Sequence, residues 1–78
     1  MSIEILEHAR KRMSKYNVTE QTVLDALKDP DSIAKGHLNR KIAQKRLNTY
    51  VLRVVYEEAS GNKKVITVYK ARSERYEI

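Results

Sequence analysis

Cysteine, tryptophan and phenylalanine are absent from this chain of 78 residues, and it holds one proline and two glycines. Each scarcity removes a class of protein. Without cysteine there is no disulfide framework and no thiolate metal site, so packing alone must hold the fold, and a reducing cytosol is the default compartment. With so little glycine the chain carries neither a phosphate-binding glycine loop nor a dinucleotide fingerprint. Ser14, Ser32, Ser60 and Ser73 lack a nucleophile-elbow setting. Two histidines, His8 and His37, have no HExxH pattern or matching carboxylate spacing, so no metal and no cofactor is expected. No apolar run approaches the roughly 20 residues of a membrane-crossing helix, and Met1-Ser2-Ile3-Glu4 does not start a signal peptide. The expectation is a soluble, cytoplasmic protein without a membrane partner.

What the chain has in excess is positive charge. Lys and Arg number 16 against 10 Asp and Glu, giving a formal net charge of +6 and a pI near 9.7. Over residues 35–53 the cations Lys35, Arg40, Lys41, Lys45, Arg46 and Arg53 follow one another with no acidic residue between them. Such a stretch steers polyanions, and nucleic acid is the usual polyanion of a cytosol.

The length fits one domain over residues 1–78 with a small core. Ordering it costs on the order of 100 kcal/mol of conformational entropy, which apolar burial offsets only narrowly. Leu6, Ala9, Met13 and Tyr16 recur at helical spacing, predicting a first helix over residues 3–16. Thr19 is placed to cap a second helix whose apolar stripe is Val23, Leu24 and Leu27, and Asp29-Pro30-Asp31 ends it. After Pro30 the texture turns β-branched and alternating. Strands are expected at residues 31–35, 41–47, 50–58 and 64–71, joined by short connections and so antiparallel. The fold class is therefore α+β: two N-terminal helices on one face of a three- or four-stranded antiparallel sheet, with the opposite face open to a ligand.

The last strand runs into Lys70, Arg72 and Arg75 and closes on Tyr76. Side chains at a strand end are held in place, so these four are the candidate catalytic set. Arg12, Arg40, Lys45, Arg46 and Arg53 are the candidate nucleic-acid contacts. Cations and a phenol suffice for metal-independent RNA cleavage, in which a ribose 2′-hydroxyl attacks the adjacent phosphorus and arginines neutralise the charge that develops. Lys70 and Tyr76 are the acid and base candidates, because cationic neighbours ease proton loss. Tyr56 and Tyr69 read as core or near-core by strand context. His8 reads as a hydrogen-bonding residue at the helix border and His37 as an exposed loop residue.

The opening His8-Ala9-Arg10-Lys11-Arg12-Met13, the segment Asp29-Pro30-Asp31-Ser32, the strand Ile42-Ala43-Gln44-Lys45-Arg46-Leu47 and the tail Ala71-Arg72-Ser73-Glu74-Arg75-Tyr76 carry a likeness. Over about residues 5–76 the chain resembles the RelE/ParE toxin superfamily, especially its BrnT-like branch, and a related family of small domains of unknown function that begin with a His-Ala-x-x-Arg-Met helix. The resemblance implies a RelE-like fold and a type II toxin: an mRNA endoribonuclease, acting on free RNA or on the ribosome, neutralised by a small acidic antitoxin protein. It points to Arg72, Arg75 and Tyr76 as tail positions of the site. Typical members carry a strand ahead of the helical hairpin, and residues 1–4 are expected to be too short to supply one. Two other classes fit the same features: a non-catalytic basic module for nucleic acid or an acidic protein, and a ParE-like poison of a topoisomerase.

Overall fold

The computed structural model of the chain describes residues 2–72. In order these form β1 (Ile3–Ile5), α1 (Glu7–Tyr16), α2 (Glu20–Lys28), β2 (Ser32–Lys35), a short 3₁₀ turn (His37–Asn39), β3 (Lys41–Leu47), β4 (Tyr50–Ala59) and β5 (Asn62–Arg72). The strands make one five-stranded sheet in the order β1-β5-β4-β3-β2. Pairing is antiparallel from β2 to β5, whereas β1 lies parallel to β5. The α+β class holds, with more strands than expected and a mixed rather than purely antiparallel sheet.

Both helices end where local chemistry dictates. Asn17 closes α1 in the left-handed region, and its N–H donates back to the carbonyls of Met13 and Ser14. Thr19 caps α2 by accepting from the Thr22 N–H at 3.2 Å, with Glu20 at the positive end of the helix dipole. The β4–β5 connection places Ser60 and Gly61 at φ 53° and 80°. Positive φ at both central positions is the geometry that follows the strand twist, and glycine adopts it without penalty.

The extra strand corrects the expectation that residues 1–4 were too short and that α1 began at Ile3. β1 pairs Ile3 with Lys63, Glu4 with Lys64 and Ile5 with Val65. Its backbone is fixed to that distant hairpin: Ser2 Oγ lies 2.9 Å from Asn62 Oδ1, and the Lys63 N–H donates to the Ser2 carbonyl at 2.9 Å. Ile3 and Ile5 pack against the core while Glu4 is exposed. That is strand alternation, invisible locally because three residues are too few for periodicity and the partner is remote in sequence.

One face of the sheet meets the helices. Ala9, Met13, Val18, Val23, Ala26 and Leu27 pack with Ala43, Leu52, Val54, Tyr56, Val65 and Val68. Ala26 replaces Leu24 in the expected stripe of α2, Leu24 being only half-buried. Fully burying each valine or leucine contributes about 1.5–3 kcal/mol, so this layer carries the fold. A register shift between Val55 and Tyr56 leaves Ile66 without a partner on β4, a bulge in β5. Among the described residues no helix is long and apolar enough to cross a membrane.

Candidate nucleic-acid interface

Strand pairing assigns the expected site residues that lie on strands to a side of the sheet, because directly opposed residues share a face. Leu52, Val54 and Tyr56 face the helices. Lys45 and Lys70 both oppose Leu52, and Arg72 opposes Tyr50, so all three stand on the helix side. Arg46 opposes Val51, and Arg53 lies between Gln44 and Tyr69, so these belong to the helix-free face. Arg12 is on α1, its guanidinium 5.5 Å from the Tyr16 ring centroid. Arg75 and Tyr76 lie outside the described residues.

The expected convergence of all these cations on one open face is thus corrected. Two alternating residues of β5, Lys70 and Arg72, share a side, but it is the side opposite Arg46 and Arg53. Lys70 has its ammonium 4.3 Å from the Tyr50 ring centroid, a cation–π contact. Lys45 serves the fold: its ammonium donates to the Asp29 carbonyl at 2.8 Å and lies 3.5 Å from the Asp29 carboxylate, closing the C-terminal end of α2. Arg40 pairs with Glu57 at 3.3 Å. The basic stretch is uninterrupted in sequence, yet acids from elsewhere in the chain meet part of it in space.

A neighbouring pair shows the same effect. Lys41 donates to Glu58 at 3.0 Å. This hydrogen bond, reinforced by charge attraction, holds Lys41 above its ordinary 10.5 and Glu58 below its ordinary 4.5. Burial pushes the Tyr56 phenol above its ordinary 10.0. His8 and His37 are both exposed. Among the described residues no group of three or more His, Asp or Glu is placed to hold a metal ion.

The helix-free face carries a polar row that sequence reasoning missed. Ser32, Gln44, Arg53 and Tyr69 are successive cross-strand partners on β2, β3, β4 and β5. Gln44 donates from Nε2 to Ser32 Oγ at 2.9 Å, and Arg53 donates from Nη1 to the Tyr69 hydroxyl at 2.7 Å. The Arg53 guanidinium also lies 5.4 Å from the Tyr69 ring centroid. Gln44 is 6% exposed, and its buried Oε1 has no hydrogen-bond partner among the described residues. Arg46 stands in the adjacent row, exposed. Val51 is fully buried on this same face, Arg53 and Tyr69 are half-buried, and Arg46 is exposed.

Tyr69 is therefore corrected from a near-core residue to a half-buried one on the helix-free side. Chemically the row suits an anion bearing hydrogen-bonding groups. A guanidinium can pair with phosphate oxygens, and a phenol that accepts from a cation becomes a better donor of its own hydrogen.

A family model described as "Domain of unknown function (DUF4258)" matches residues 5–70 of the chain. Neither a curated protein nor a solved structure gives a match.

Proposed function

We propose, taking as premise that the chain belongs to the DUF4258 family, that it binds RNA on the helix-free face of its sheet and acts there as a toxin-like, metal-independent endoribonuclease. One observation carries the reading: the Arg53–Tyr69 pair at 2.7 Å, set on a sheet row beside the exposed Arg46. Central strands hold these side chains more firmly than a loop would, which is what a reacting phosphate requires.

In this reading Arg46 and Arg53 hold the non-bridging oxygens of one phosphodiester. The 2′-oxygen of the preceding ribose forms a bond to phosphorus while the bond to the 5′-oxygen breaks, leaving a cyclic phosphate. The 2′-hydroxyl proton passes to solvent water, and Tyr69 gives its proton to the departing 5′-oxygen. The RelE/ParE and BrnT-like resemblance supports the same chemistry and adds a small acidic antitoxin as the natural inhibitor.

A second reading is favoured by the position of Lys70 and Arg72. With these two on the helix side, the face holding Arg53 and Tyr69 lacks two of the four residues expected to be catalytic. Binding without cleavage then follows.

Incubating the purified protein with RNA in excess chelator, with end-group analysis of the products, separates the readings. Cyclic-phosphate ends that vanish in Arg53→Ala and fall at least about tenfold in Tyr69→Phe support the nuclease. Intact RNA, despite salt-sensitive binding that depends on Arg46 and Arg53, leaves the binding module.

A further inference from the structure

Two features with a shared location remain outside that site. β2 is an edge strand, bonded to β3 on one side only. On it Ile33 is 56% exposed, and in the turn that follows Leu38 is 80% exposed; these are the exposed large apolar residues of the described chain. Ile33 opposes Ala43 and so faces the helix side, but α2 packs on β3 and β4 and leaves this margin uncovered.

Leu38 is unfavourable twice over. Besides facing water it sits in the left-handed region, at φ 57° and ψ 42°, followed by Asn39 at φ 62°. Asparagine tolerates that conformation, whereas leucine does so only at a steric cost. Nothing in the described chain returns that cost, since the side chain packs on no core. A strained and exposed apolar residue is what a contact surface looks like without its partner.

Charge identifies the partner. Beneath the turn, Lys35, Gly36, Asn39, Arg40 and Lys41 line an open cavity of about 230 Å³, and among the described residues no carboxylate lines it. Arg40 and Lys41 share their charge with Glu57 and Glu58, but Lys35 makes no salt bridge with a described residue. We propose that the outer edge of β2 and the turn after it form a docking strip for an extended acidic segment of a partner protein. The segment adds a sixth strand beside β2, rests an apolar side chain on Ile33 and Leu38, and directs a carboxylate into the cavity at Lys35. Main-chain hydrogen bonds along the edge supply affinity, and the alternating side chains supply selectivity. The strip and the helix-free cations are different surfaces, so this proposal stands or falls apart from RNA binding.

The test uses the full chain and a short synthetic peptide alternating glutamate and valine, read by amide chemical shifts and fluorescence anisotropy. The peptide is expected to shift Ser32, Ile33, Ala34, Lys35 and the following turn. Lys35→Glu should weaken it by about tenfold, and so should N-methylation of alternate peptide amides. Leu38→Gly should raise the melting temperature, by relieving the left-handed strain, and yet weaken the peptide several-fold. A residue important only to folding would not move those two readouts in opposite directions. The proposal is overturned if a lysine–valine peptide binds equally, if the N-methylated peptide keeps its affinity, or if Leu38→Gly binds like the parent. It is overturned equally if a short RNA displaces the peptide from this strip, or if sedimentation shows two copies of the chain joined through it.

Discussion

At the scale of single residues, the Arg53–Tyr69 pair makes the sharpest demand. Removing only the phenol oxygen in Tyr69→Phe leaves a half-buried ring of nearly the same shape, so thermal melting should change little while RNA cleavage falls. The Lys41–Glu58 pair predicts how stability responds to pH. Glu58 titrates below its ordinary value in the folded chain, so its contribution is complete above about pH 4.5 and is lost as pH falls through that lowered value. Lys41 and Tyr56 are both raised, so their contributions are complete below their ordinary values of 10.5 and 10.0 and are lost as pH rises through the higher folded values. Denaturant unfolding across pH should therefore show an acid limb and an alkaline limb. Lys41→Met should return Glu58 to near its ordinary value in an NMR titration, and Tyr56→Phe should flatten the alkaline limb. A Glu58 carboxyl still depressed in Lys41→Met would show that another group sets it.

At this same scale lies the reason Tyr69 was hard to read. A strict period of two places Val65, Thr67 and Tyr69 on one face and Ile66 and Val68 on the other. The bulge at Ile66 breaks that count, so that Val65 and Val68 both enter the core and Tyr69 turns away from it. Bulges insert a residue without a composition of their own, and β5 carries apolar residues on both sides, so the slip leaves no trace in hydropathy.

At the scale of elements, α2 is anchored by two lysines that composition alone counts as nucleic-acid contacts or loose charge. Lys45 donates to the Asp29 carbonyl, and Lys63 approaches the Leu27 carbonyl at 3.5 Å with its ammonium 5.6 Å from the Tyr56 ring centroid. Cations favour the negative end of a helix. Lys45→Met should therefore cost about 1 kcal/mol in denaturant unfolding and leave RNA affinity nearly unchanged, the opposite of what a phosphate contact would do. At the other end of the helix, Thr19→Ala should cost about 1 kcal/mol through loss of the cap. The boundaries of α2, β3 and β4 were legible because caps, Pro30 and alternation are local signals. β1 was not, since its pairing depends on a hairpin at the far end of the chain.

For the whole molecule, net charge was a poor guide to where the cations stand. A sum over sequence cannot register that Glu57 and Glu58 approach Arg40 and Lys41 across the β3–β4 ladder, or that β5 presents Lys70 and Arg72 to one side and Tyr69 to the other. The helix-free face carries Arg46, Arg53 and Tyr69 on neighbouring rows. Few phosphate contacts mean a shallow salt dependence: the slope of log affinity on log salt should lie near −1.4 to −2 for a single strand held by two or three cations, about 0.7 per phosphate. Arg46→Ala should reduce its magnitude by about 0.7. The most direct measurement is chemical-shift mapping of the full chain titrated with a short single-stranded RNA at low salt. The account predicts perturbations centred on Gln44, Arg46, Arg53 and Tyr69, with α1 and α2 unmoved. Perturbations confined to the helices or to the β2 edge, or none at all, would contradict it.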